Sequence, residues 1–221
     1  MSSTDSAVTA DASWGAALRA FLDSRVIAMF FLGFSAGIPL LLIFSSLSLW
    51  LREAGVDRGA VTFFSWAALG YSFKFVWAPL VDHVPWPFLT RWLGRRRAWL
   101  LVAQLAILTA ILLMAAIDPA QGGASLTYMA LAAVLLGFSA ATQDIVIDAY
   151  RIEAAETSLQ ALMSATYIAG YRVGMVVSGA GALFLAAALG TTAEHYVYEA
   201  WRWTYVAMAG TLGVGILTTL L

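Results

Sequence analysis

The chain has 221 residues, of which 62% are hydrophobic and 11% charged, with mean hydropathy +0.83 and formal net charge −1. Soluble domains run nearer half apolar and a quarter charged, so this chain has too few polar residues to cover a water-facing surface. That argues against a soluble enzyme or a disordered chain; the near-zero charge gives no long-range pull on nucleic acid, and the lack of cysteine excludes disulfides and thiolate chemistry.

Residues 1–25 read as a cytoplasmic N-terminal segment. In it Trp14, Leu18, Phe21 and Leu22 fall at i, i+4, i+7 and i+8, which predicts a short helix lying at the membrane interface. Residues 26–221 read as a transmembrane bundle. A span needs roughly 20 apolar residues to cross about 30 Å of hydrocarbon. Six runs meet this: about 26–50, 61–81, 99–117, 126–148, 162–189 and 201–221. They are continuous rather than alternating, so helices are predicted and a β-barrel is not. With the N-terminus inside, Arg19, Arg25, Arg91, Arg95, Arg96, Arg97 and Arg151 fall on the cytoplasmic side, against Arg52, Arg58 and Arg202 outside. The arginine excess predicts both ends in the cytoplasm.

Leu32-Gly33-Phe34-Ser35-Ala36 in the first run recurs as Leu136-Gly137-Phe138-Ser139-Ala140 in the fourth, and Gly70-Tyr71 is echoed by Gly170-Tyr171. The expected fold is therefore all-α, with six transmembrane helices arranged as two inverted three-helix repeats, a building unit of several transporters. Gly33 with Gly37, and Gly170 with Gly174 and Ser178, have the spacing of close helix packing. Pro39 removes a backbone donor from the first helix and should bend it.

Lys74, Gln143, Asp144 and Arg172 fall inside the runs. A charge at mid-membrane costs at least about 2.5–3.5 kcal/mol, so these groups should face the bundle interior and have partners. Asp144 is expected to pair with Lys74 or Arg172. Such a carboxylate either forms a permanent structural salt bridge or exchanges a proton when its cation moves. Asp148 lies one turn on, on the same face. Between the second and third runs, Asp82 precedes Gly94-Arg95-Arg96-Arg97. The arginines either anchor to lipid phosphate or latch onto the carboxylates of Asp82 and Asp148, since an arginine fork suits a carboxylate. His83 and His195 are far apart, and no metal site or cofactor is predicted.

An Asp closing the second helix, followed by Gly-Arg-Arg before the third, resembles the major facilitator superfamily, here with a longer insert. The segments Phe73–Asp82, Gly94–Leu101, Ser139–Ala149 and Gly170–Gly179 resemble, in order, the anhydromuropeptide permease (AmpG-type) family of that superfamily. Eukaryotic acetyl-CoA transporters share a weaker version. The resemblance implies the N-terminal half of a non-enzymatic secondary transporter in the bacterial inner membrane. Its cargo would be anhydromuropeptides from cell-wall turnover, imported with protons for peptidoglycan recycling. The partner would be a C-terminal six-helix half or a second copy. Asp144, Arg172, Lys74, Gln143, Tyr171 and Tyr167 would bind substrate or couple protons, and Asp82, Arg95, Arg96 and Asp148 would form a cytoplasmic gate. The alternatives are a carrier of another sugar, drug or acyl-CoA, or a non-transporting membrane scaffold.

Overall fold

The computed structural model describes residues 19–221 except 58, 60, 62, 63 and 65–68. Of the proposed interfacial helix, Trp14 and Leu18 lie outside the described residues. Five helices are long and apolar enough to cross a membrane: α1 (Ser24–Glu53), α5 (Arg95–Ala115), α6 (Gly123–Ala154), α7 (Leu159–Ala188) and α8 (Tyr198–Leu220). Between α1 and α5 lie the short helices α2 (Leu69–Ser72), α3 (Ala78–His83) and α4 (Leu89–Leu93), with a single 3-10 turn at Lys74–Val76.

The expectation of six transmembrane helices in two inverted three-helix repeats is thus corrected: among the described residues five helices qualify, and the run expected at 61–81 is not one of them. In the described part of that run the cause is local. Phe73 (φ −104°, ψ 11°) leaves the helical region, and Pro79, at the start of α3, has no N–H to continue a ladder. Side chains hold this segment on α6 instead. Trp77 Nε1 donates to Thr142 Oγ1 (3.2 Å), and its ring stacks on Phe138 with centroids 4.3 Å apart.

Local sequence sets the ends of the long helices. Asp23 caps α1 by accepting from the Arg25 backbone N–H at 2.8 Å, and the hydrogen-bonded Arg25 side chain holds the Asp23 carboxyl below the ordinary carboxylate range. Gly94 (φ 79°, ψ 165°) turns the chain into α5 through a conformation open essentially to glycine alone, so Arg95–Arg97 occupy the first turn of that helix. Ser24, Arg97, Tyr150 and Leu221 border one cavity, so the start of α1, the start of α5 and the ends of α6 and α8 share one end of the bundle.

The opposite end is tied by aromatic and polar side chains. Glu53 Oε2 accepts from Thr191 Oγ1 and Trp201 Nε1, both at 2.7 Å. The Trp50 and Trp201 rings stack with centroids 5.7 Å apart. Trp50 Nε1 donates to the Tyr196 hydroxyl (3.2 Å), which donates to Asp118 Oδ1 (2.7 Å). Burial pushes the Tyr196 hydroxyl well above the ordinary phenol range. Since Glu53 lies at this end and Arg95 at the other, the chain between them connects opposite ends of the bundle.

Helices in lipid gain little from burying apolar surface against one another, so close packing must hold them together. The α1–α7 seam supplies it. A Cβ placed on Gly33 or Gly37 would strike the backbone carbonyls of Tyr167 and Tyr171, and one on Gly170 or Gly174 would strike those of Phe30 and Phe34. The small-residue spacing is therefore packing. Further along, both helices widen into a π-turn, at Leu42–Ser46 and Val177–Gly181, and Ser46 Oγ donates across the seam to the Ser178 carbonyl at 2.9 Å.

Candidate functional site

The α1–α7 interlock fixes which way α7 faces. Tyr167, Tyr171 and Met175 follow at i, i+4 and i+8, one stripe along the helix. Their side chains, with those of Arg172 on α7 and Asp144 and Asp148 on α6, line a cavity of about 500 Å³, which Leu40 of α1 also borders. The Tyr167 hydroxyl donates to Asp144 Oδ1 (3.2 Å), and the Tyr167 and Tyr171 rings lie tilted, with centroids 5.9 Å apart. The cavity thus combines a carboxylate pair, a guanidinium and two phenol rings, a set able to hydrogen-bond and stack on a polar ligand.

Four of the six predicted binding residues, Asp144, Tyr167, Tyr171 and Arg172, meet here. The other two do not line the cavity. Gln143 is fully buried in the bundle, and neither of its amide atoms has a hydrogen-bond partner among the described residues. Lys74 reaches Asp148 (Nζ to Oδ2, 3.9 Å) rather than Asp144. Among the described residues Asp144 has no cation within 4.0 Å, so the expected pair with Lys74 or Arg172 is replaced by the Tyr167 bond. Arg151 also pairs with Asp148, at 3.4 Å. Tyr71, read in the sequence only as part of the repeat, has a buried hydroxyl without a partner among the described residues.

At the arginine-rich end, Arg96 Nη1 bonds Asp82 Oδ1 at 2.6 Å. Its Nε and Nη2 clasp the Glu153 carboxylate at the end of α6, with Nε to Oε2 at 3.0 Å. The arginine therefore bridges α3, α5 and α6. Arg95 is exposed and enters no ion pair among the described residues, and Asp148 binds Lys74 and Arg151 instead of this cluster. The i, i+3 spacing from Asp148 was a readable signal for Arg151. Glu153 had none, because its partner comes from another helix. No three His, Asp or Glu side chains among the described residues converge as metal ligands.

Five helices long and apolar enough to cross a membrane, among the described residues, make this a multi-pass membrane protein. Residues 25–217 match the family described as acetyl-coenzyme A transporter 1, and the chain belongs to that family of transporters, within the major-facilitator type of permease. It is 40% identical over 191 residues to a Rickettsia felis protein bearing the transporter name AmpG 4, a match covering 86% of this chain and 43% of that protein. It is 37% identical over 204 residues to the anhydromuropeptide permease of Escherichia coli K12, covering 92% of this chain and 38% of that one. A Rickettsia typhi protein named AmpG 3 is 32% identical over 160 residues, 72% of this chain and 37% of its own length. The chain spans less than half the length of these relatives.

Proposed function

We propose that the chain supplies the N-terminal part of a proton-coupled importer of anhydromuropeptides, serving peptidoglycan recycling in a bacterial inner membrane. The observation that carries this reading is the cavity where Asp144, Tyr167, Tyr171 and Arg172 converge, in a chain 37% identical to an anhydromuropeptide permease. Arg172 is the group suited to a peptide carboxylate, the two tyrosines to sugar rings, and Asp144 to the proton. The arginine-rich end faces the cytoplasm, where the positive-inside rule puts it. There Arg96, joined to Asp82 and Glu153, is the gate that holds the cytoplasmic side shut. Asp148, held by Lys74 and Arg151, lines the cavity one turn nearer the gate than Asp144. The companion of this chain in the carrier is a C-terminal half or a second copy of this chain.

The test is uptake of labelled anhydromuropeptide into right-side-out vesicles carrying this chain together with its companion half, with and without an imposed proton gradient. Gradient-driven uptake that falls at least tenfold in Asp144→Asn is expected. Proton coupling unchanged in that variant sinks the role given to Asp144, and absence of uptake sinks the substrate. A second reading, carriage of an acyl-coenzyme A, is favoured by the description of the matching family. Competition of uptake by unlabelled acetyl-coenzyme A separates the two.

A further inference from the structure

A second cavity, of about 220 Å³, lies at the arginine-rich end between α1, α5, α6 and α8. Arg25, Arg96 and Arg97 line it together with Ser24 and Tyr150, and no Asp or Glu does. Arg25 is held by Asp23 and by the Ala154 carbonyl, and Arg96 by Asp82 and Glu153. Arg97 enters no ion pair among the described residues, so its five donors are open to a ligand. An arginine-lined cavity free of carboxylates favours an anion.

Beside this cavity, and sharing Ser24, Ala28, Thr218 and Leu221 with it, lies a groove of about 470 Å³. The walls of that groove are two helical stripes: residues 24, 27, 28 and 31 of α1, and 214, 217 and 218 of α8. Ile27, Phe31, Val214 and Leu217 are all exposed there. Exposed apolar side chains are the rule on a membrane helix and mean nothing alone. What singles out this groove is that it adjoins, across Ser24, Ala28 and Thr218, an arginine-lined cavity at the basic end of the bundle. An anionic head with an apolar tail fits both parts together, whereas a free anion uses only the first.

The geometry points to a binding site for an anionic phospholipid, with the phosphate on Arg97 beside Tyr150 and an acyl chain in the α1–α8 groove. Basic pockets between membrane helices recognise headgroups in this way. The site lies apart from the Asp144 cavity and is independent of the cargo proposed above.

Native mass spectrometry of the purified protein in detergent, titrated with phosphatidylglycerol, phosphatidylethanolamine or inorganic phosphate, tests it. Phosphatidylglycerol is expected to bind about tenfold more tightly than phosphatidylethanolamine. Arg97→Gln should weaken phosphatidylglycerol binding by about tenfold, the scale of one lost charge-assisted pair, and Arg97→Lys should restore most of it. Ala28→Phe, which adds bulk where the cavity and the groove adjoin, should weaken the lipid and leave inorganic phosphate unaffected. Equal binding of the two lipids overturns the proposal. So does phosphate competition with Ala28→Phe silent, which marks a free-anion site. Arg97 is exposed, so its substitution leaves the helix packing intact, and an unchanged Arg97→Gln counts directly against the lipid.

Discussion

Gly33→Ala tests the α1–α7 seam most directly. The added methyl would lie against the Tyr167 carbonyl, with that carbonyl carbon at 2.9 Å and Tyr167 Cα at 3.0 Å, where ordinary contact begins near 3.4 Å. These are backbone atoms of a helix and cannot swing aside, so α1 and α7 must part by about 0.5 Å or more. A gap of that size forfeits roughly a quarter of the dispersion well at each contact along the seam. Overpacking of this kind costs about 1–3 kcal/mol, against the about 1 kcal/mol that alanine gains over glycine in a helix. Gly210 on α8 is the control, since a Cβ there meets nothing within 4 Å. Gly210→Ala should therefore stabilise by up to about 1 kcal/mol, and Gly33→Ala should fall about 1–3 kcal/mol below it. Unfolding in mixed micelles by SDS titration, followed by circular dichroism, reads the difference. If Gly33→Ala and Gly210→Ala unfold together, the seam is not packed as described and the reasoning fails.

Removing Glu153 or Arg96 should expose their coupling: a double-mutant cycle of Arg96→Gln with Glu153→Gln should give about 1 kcal/mol, modest because Glu153 is half exposed. Independent effects of the two substitutions would remove the three-helix bridge. The raised Tyr196 hydroxyl means that the folded state keeps its proton to higher pH than the unfolded chain does. Its contribution to stability should be complete below about pH 10 and decline as pH rises further, and Tyr196→Phe should flatten that decline in an alkaline denaturation series. Tyr167→Phe, which removes the one hydrogen bond to Asp144 found among the described residues, should slow uptake several-fold with little change in unfolding midpoint. Equal losses in both would make Tyr167 a packing residue.

Much of the scaffold could be read from hydropathy because the bilayer imposes a length on every crossing helix. The runs at 99–117, 126–148, 162–189 and 201–221 each fall within or close to an observed helix, and the observed ones extend further at polar ends that a hydropathy reading trims. α6, for example, carries Asp148, Arg151 and Glu153 on a helical ladder to Ala154. The run at 61–81 misled because average hydropathy ignores backbone: in its described part Pro79 and the turn at Phe73 interrupt helix formation without making the segment polar. Spacing on one helix was also readable, and it puts Asp148 on the face of Asp144. Choice of partner was not. Whether Lys74 meets Asp144 or Asp148, one turn apart, depends on how the broken segment sits on α6, and that is set by Trp77 against Phe138.

The glycine interlock also decides which parts of the bundle can slide. Where four glycines bring backbone against backbone, α1 and α7 behave as a single slab, because neither can shift along the other without riding over a carbonyl. Asp144 stands on the facing slab, joined to it across the cavity by one phenol hydrogen bond. Arg25 on the Ala154 carbonyl and Gln160 on the Ile152 and Ala155 carbonyls also tie the two slabs at the arginine-rich end, so a guest that opens the chamber at the level of Tyr167 breaks one hydrogen bond while that end stays fastened.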